Sequence, residues 1–127
     1  MPERILVVSH EPAMAARICW TLLDAGYDAT MENSSFGAIQ KAKEFAPHLL
    51  IIDPVMPVIS GVDAAKRIAR QSGCNVLFIS TGAAEDFFPE VLDELRNQGC
   101  DCDAFPLPFE KEYLLMQVRN QIERRSN

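Results

Sequence analysis

The chain has 127 residues, 48% hydrophobic and 24% charged, which predicts one domain over residues 1–127 and leaves no room for a second, output-type domain. Its longest apolar runs, Ile5–Val8 and Leu49–Ile52, are far short of a membrane span, and the N-terminus lacks a secretory apolar core, so no membrane contact and a cytoplasmic location are expected. Twelve basic against eighteen acidic residues give a formal charge of −6, and the lack of a dense basic stripe argues against direct nucleic-acid binding.

Two periodicities alternate along the chain. Ile5–Val8 is a continuous run rich in β-branched residues and reads as a strand buried on both faces. From Ala13 to Ala25, Met14, Ile18, Leu22 and Ala25 recur at helical spacing, opened by Glu11 and Pro12 and stopped by Gly26. Tyr27–Met31 reads as a second strand. Ser34 or Ser35 then caps a helix with Ile39, Ala42 and Ala46 on one face, ended by Pro47. Leu49–Ile52 is a third strand that stops at Asp53, followed by a loop over Pro54–Ser60 and a closing Gly61. A helix from about Val62 to Gln71 and a Ser-Gly break lead to a fourth strand, Val76–Ile79. Phe88, Leu92 and Leu95 mark a helix over Phe88–Gln98, with Gly99 as its stop. A short strand near Ala104–Phe105 precedes a last helix through Leu114, Leu115, Val118 and Ile122. Five strands read as apolar throughout, alternating with five helices, imply a parallel sheet covered on both sides. Ligand chemistry in such a sheet belongs at the carboxyl ends of the strands, so the residues after Val8, Ile52, Ile79 and Phe105 are the candidates.

The acids are unevenly spread. Glu85, Asp86, Glu90, Asp93, Glu94, Asp101 and Asp103 stand against Arg96 alone, so this one stretch carries the whole −6. The four cysteines, Cys19, Cys74, Cys100 and Cys102, lack metal-ligand spacing and read as small buried hydrophobes in a reducing compartment. Trp20, Phe87 and Phe88 read as core or rim aromatics, whereas Tyr113 and Met116 fall off the apolar stripe of the last helix and mark a candidate contact surface.

Asp53 opens the run Asp-Pro-Val-Met-Pro-Val-Ile-Ser-Gly-Val-Asp, which resembles the phosphoacceptor loop of response-regulator receiver domains. Arg4–Pro12 is similar to that family's first strand and acidic turn, and Asn75–Gly82 to its fourth strand with a switch hydroxyl. Pro108–Phe109 is similar to the Pro-Phe that opens its last helix, so the motifs cover nearly the whole chain in order. The resemblance implies a flavodoxin-like α/β fold, a doubly wound five-stranded parallel sheet of order 2-1-3-4-5 with five helices. It also implies that Asp53 accepts a phosphoryl group from phosphohistidine, with Ser80 as the switch hydroxyl and Thr81 beside it, and no enzyme activity beyond that acceptance.

In the family the phosphoryl charge is neutralised by a Mg²⁺ held by acids after strand one and by a lysine after strand five. Here those positions fall on Ser9 and His10, and on Leu107. Glu11 and Asp53 remain as metal candidates, a poor set for an ion that favours several oxygen ligands, so no cofactor is expected. The aromatic switch position falls on Ala104, with Phe105 adjacent. A charge pair at about 4 Å is worth roughly 4 kcal/mol at an effective dielectric near 20. Loss of both cations therefore removes stabilisation on the order of thousands-fold in rate or lifetime.

His10 has three readings: a polar loop residue, a side-chain cation set against Asp53 in place of the metal, or a metal ligand, against which stand the distance of His48 in sequence and the lack of His-x-x-x-His spacing. Asp53 is either a working acceptor or a cap on its own loop, and Ser80 and Thr81 either form a switch or satisfy local backbone groups. The expected protein is an atypical receiver domain of two-component or phosphorelay signalling, with impaired Mg²⁺-dependent phosphorylation. It would dock a histidine kinase, a phosphotransferase or a downstream regulator rather than DNA. The alternative is a working receiver phosphorylated on Asp53. A flavin- or small-ligand-binding protein of the same fold would need a phosphate-cradling glycine loop that this chain lacks. Glu90, Asp93 and Glu94, with Tyr113, form the expected partner face, which calls for a basic patch on the partner.

Overall fold

Runs such as Leu49–Ile52, with no polar side chain, form stable strands only where both sheet faces are covered. The computed structural model meets that condition. It describes residues 2–80, 88–107 and 109–126, and all of their side chains except those of Ser80, Phe88, Phe105, Arg125 and Ser126. In chain order the elements are β1 (Arg4–Val8), α1 (Pro12–Asp24), β2 (Asp28–Glu32), α2 (Ser35–Phe45), β3 (Leu49–Ile52), α3 (Gly61–Ser72), β4 (Asn75–Ser80), α4 (Phe88–Asn97), β5 (Cys102–Pro106) and α5 (Lys111–Ser126). The strands form one parallel sheet in the order β2-β1-β3-β4-β5, the flavodoxin-like arrangement.

Alternate strand residues sort to opposite faces. Leu6, Val8, Leu50, Ile52, Val76 and Phe78 pack with Ala38, Ala42, Ala64, Ala65, Ile68 and Leu95 from α2, α3 and α4. Ile5, Val7, Leu49, Ile51, Leu77 and Ile79 pack with Ala15, Ile18 and Leu22 of α1 and Leu114 and Val118 of α5. The alanines on α2 and α3 let those two helices lie close together over the sheet. Arg17 on α1 stacks over the Phe109 ring at 5.2 Å, tying α1 to the approach to α5. Among the described residues no helix is long and apolar enough to cross a membrane.

Several local features differ from the periodicity. The strands are not apolar throughout: β2 reads Asp-Ala-Thr-Met-Glu and is only partly buried, because it is an edge strand paired to β1 alone. Ala46 is not on the buried face of α2. It is exposed and left-handed (φ 50), because Pro47 excludes the helical conformation at the residue before it. The Arg4 guanidinium donates to the freed carbonyls of Phe45 and Ala46 at 2.8 and 3.1 Å. Ala25 caps α1 rather than joining its apolar stripe, and Cys19 is buried on that helix instead. Trp20 is neither core nor rim, since it is 68% exposed on the outer side of α1. Phe87 and the Phe88 side chain lie outside the described residues. β5 begins two residues earlier than the apolar pair suggested. Cys102 and Asp103 open a half-buried edge strand, with Cys102 and Ala104 turned to the core.

Candidate functional site

The sheet order places the site. β1 is the strand from which the chain winds both ways, so the connections after β1 and β3 leave in opposite directions. Val8 pairs with Ile52, which brings Ser9, His10 and Glu11 beside Asp53 although more than 40 residues separate them in sequence. The Asp53 amide donates to the Val8 carbonyl at 3.0 Å, and the Ser9 amide donates to the Glu32 carbonyl at 3.2 Å. Asn33 Nδ2 donates to the Ser9 carbonyl at 3.1 Å, fixing the turn after β1 to the end of β2.

Asp53 is 5% exposed. Its Oδ1 accepts from the Val55 amide at 2.9 Å, and its Oδ2 faces His10 Nδ1 at 3.6 Å, an ion pair when the imidazole is protonated. His10 is 42% exposed, so it spans the gap between solvent and the buried carboxylate. Ser9 is buried, and its Oγ accepts the Glu11 amide at 3.2 Å, a local turn contact. Glu11 is exposed and serves as the N-cap residue of α1 without a side-chain bond to that helix. This donor set does not suit a hard divalent ion: one carboxylate is buried, one of its oxygens holds an amide and the other faces an imidazole. Among the described residues no three His, Cys, Asp or Glu side chains are grouped to hold a metal.

Burial pushes the Asp53 carboxyl above the usual aspartate range, the Val55 amide and His10 pull it back, and Glu11 adds to the rise. The folded protein thus holds this proton more tightly than the unfolded chain, and stability falls as pH rises from the ordinary aspartate value through the raised folded one. Asp53→Asn is expected to be more stable than the native protein at neutral pH. The gap should close once both carboxyl states are protonated, below the ordinary value. Urea denaturation of both proteins between about pH 3 and 7 reads this, and a gap independent of pH would contradict it.

The remaining candidates divide. Leu107 packs beside Phe109 in the apolar layer under α1 and α5, and Ala104 packs in the opposite layer with Phe78. Ser80 ends β4 opposite Pro106, while its side chain and Thr81 lie outside the described residues. On the expected partner face, Glu90 and Asp93 are exposed, and Tyr113 is 37% exposed with its hydroxyl accepting from Gln117 Nε2 at 2.9 Å. Glu94 is engaged by Lys66 of α3 at 2.9 Å, and Asp101 by Arg124 of α5 at 3.6 Å. Arg96 turns to the Cys102 carbonyl at 2.8 Å. The acidic stretch therefore has folded neighbours of opposite sign that its linear charge count does not contain.

Three supports of the site have roles that the sequence does not assign them; Ser34, not Ser35, caps α2. Ser35 Oγ donates to the Ile59 carbonyl at 2.8 Å, holding the loop after β3 against α2. Val58, fully exposed, sits at φ 69, a left-handed conformation that costs a β-branched residue about 1–2 kcal/mol. Gly61 donates its amide to the Pro54 carbonyl at 2.9 Å and lies directly against the Asp53 backbone. Only a Gly after a Pro-containing loop could have hinted at the last of these.

Residues 5–99 match the sequence family described as the response regulator receiver domain. The DNA-binding response regulator MtrA of Mycolicibacterium smegmatis is 27% identical over 124 residues, covering 98% of this chain and 52% of MtrA. The alkaline phosphatase synthesis transcriptional regulatory protein PhoP of Bacillus subtilis is 26% identical, covering 98% of this chain and 50% of PhoP. The chain thus spans about half the length of these relatives. Among solved structures, the chemotaxis protein CheY4 of Vibrio cholerae superposes with a TM-score of 0.81 at 25% identity, over 95% of this chain and 99% of CheY4. A CheY-like receiver domain protein of Methanospirillum hungatei gives 0.84 at 19% identity, over 99% and 98% of the two chains. With the sheet order and the aspartate at the end of β3, these matches establish that the chain belongs to the response-regulator receiver domains of two-component signalling.

Proposed function

We propose that this chain is an atypical receiver that signals mainly by docking to other proteins, with Mg²⁺-dependent phosphorylation of Asp53 impaired. The carrying observation is the His10 imidazole set 3.6 Å from Asp53 Oδ2, on the side where the family's metal-holding acids would stand. Leu107, at the position where the family has its lysine, supports the same reading because it is part of an apolar layer. Phosphoryl acceptance forms a bond from an Asp53 oxygen to phosphorus as the bond to the donor breaks, and charge on the phosphoryl oxygens is the obstacle. Here the cation beside the carboxylate is an imidazolium, present only while His10 is protonated.

The partners are a histidine kinase, a phosphotransferase or a downstream regulator, met through Glu90 and Asp93 of α4 and Tyr113 of α5. DNA binding is named for MtrA, a protein about twice as long, and a net charge of −6 argues against this segment contacting DNA itself. The protein works in the cytoplasm and needs no cofactor. The second reading, a working phosphoacceptor, draws on the buried Asp53 carboxylate that persists at the end of β3. Incubation with acetyl phosphate and Mg²⁺, followed by intact-mass measurement, separates the two. We expect no stoichiometric phosphate adduct, with acceptance slower than in a complete site by about a thousandfold. A full adduct that is lost in Asp53→Ala would establish the second reading instead.

A further inference from the structure

At the opposite end of the sheet, the register of β4 and β5 assembles a second group of reactive side chains. The offset that pairs Val76 with Cys102 also sets Cys74 beside Cys100, just before the two strands begin. Cys100 Sγ lies 3.5 Å from the Cys74 carbonyl, and both residues belong to the same apolar layer. Adjacent strands are about 4.8 Å apart, inside the Cα separation that a disulfide spans. All four cysteines of the chain are thiols in this structure.

A cavity of about 450 Å³ opens on this pair, lined by Arg70, Gly73, Cys74, Gln98, Gly99 and Cys100. Gly73 and Gly99 are the left-handed residues that close α3 and α4, with φ of 67 and 87, so the cavity lies where two helix ends turn away from the sheet. The two thiols are unequal in access: Cys100 is half-buried at the cavity wall and Cys74 is 1% exposed behind it. An accessible thiol with a buried neighbour is the arrangement of an attacking and a resolving cysteine. Arg70 is exposed at the rim and supplies a cation for a carboxylate-bearing thiol compound. Cys102 is engaged elsewhere, its Sγ 3.4 Å from the Leu92 carbonyl, and Cys19 lies on α1.

We propose that this cavity is a thiol–disulfide exchange site for a low-molecular-weight anionic disulfide, in which Cys100 attacks first and Cys74 resolves the resulting mixed disulfide to an intramolecular Cys74–Cys100 bond. The Cys100 sulfur, losing its proton, attacks one sulfur of the small disulfide, whose other half leaves as a thiolate and takes up that proton. The Cys74 sulfur then attacks Cys100 Sγ and releases the second half as a thiol in the same way. Two protein thiols are oxidised and one small disulfide is reduced to two thiols, so atoms and electrons balance. The product bond ties the start of β4 to the start of β5 and encloses α4 in a covalent loop. Burial pushes the Cys100 thiol up to about 12, which keeps the resting Cys100 protonated and makes exchange slow compared with an exposed thiol.

The test is equilibration of the full chain in mixtures of reduced and oxidised glutathione, followed by alkylation, intact-mass measurement and peptide mapping. The expected product has lost two hydrogen atoms, blocks alkylation at Cys74 and Cys100, and leaves Cys19 and Cys102 alkylatable after unfolding. Cys100→Ser should abolish it, and so should Cys74→Ser. Cys100→Ser alters a half-buried position, and a native circular dichroism spectrum and melting curve confirm that the variant is folded. A glutathione adduct that persists on Cys100, a bond involving Cys102, or no reaction in the oxidising mixtures would each overturn the proposal.

Discussion

Gly61→Ala is expected to destabilise the fold and distort the Asp53 turn together, through the addition of a single methyl group. A Cβ at Gly61 would overlap the Asp53 carbonyl oxygen and sit 2.8 Å from the Asp53 carbonyl carbon and from Pro54 Cα. All three are backbone atoms, so no side-chain rotation relieves the overlap, and either α3 or the Asp53 turn must move. Overpacking of this kind costs about 1–3 kcal/mol where the surroundings can give, and more where they are backbone. We expect a loss at or above the upper end of that range, read as a lower urea midpoint and a melting temperature reduced by about 10 °C. Gly73→Ala is the informative comparison. Among the described residues nothing lies within 4 Å of its added Cβ, and only the left-handed conformation (φ 67) opposes it, so its cost should stay near 1 kcal/mol. Equal effects for the two variants would show that close approach to Asp53 is not what the glycine provides.

The second large effect has the opposite sign. Gln121, on the buried side of α5, is 0% exposed, and among the described residues neither its Nε2 nor its Oε1 has a hydrogen-bond partner. A buried amide without partners costs about 1–3 kcal/mol of stability. Gln121→Met keeps an unbranched side chain of similar size and removes both unsatisfied atoms. The backbone carbonyl at 121, which accepts Asn75 Nδ2 at 3.0 Å, is unchanged by the substitution. We therefore expect a gain of about 1–3 kcal/mol, or roughly 3–10 °C in melting temperature. A neutral or destabilised variant would mean that the amide is satisfied in solution, by water or by a shift of α5. Gln121 lies at the far end of the domain from Asp53, so the phosphodonor experiment should give the same result in this background.

The helices and the central strands are legible along the chain because their signals are local. The unbroken apolar runs Ile5–Val8 and Leu49–Ile52 describe strands covered twice, and Ser34 announces a helix start by accepting the Gly37 amide at 3.0 Å. Asp53 is legible for the same reason, as a carboxylate where an apolar strand stops. The edges are less legible. β2 and β5 bury only one part of their surface, so their composition drifts towards that of a loop, and their bounds depend on neighbours rather than on their own residues. Ala46 illustrates the limit: its helical spacing is correct, but the proline that follows it decides its conformation.

Spacing and residue type along the chain thus decide the strand and helix order, the receiver likeness and the departures at Ser9, His10 and Leu107, all of which are read without a partner residue. What stands next to what is decided only when the parallel sheet closes, because each of its neighbours comes from a distant segment. Val8 beside Ile52 turns three open readings of His10 into an imidazole 3.6 Å from a buried carboxylate. Val76 beside Cys102 turns four scattered cysteines into one adjacent pair with a cavity. Lys66 and Arg124, far off in sequence, partly neutralise a stretch whose own residues sum to −6. Register across strands is a long-range property, and no local period carries it.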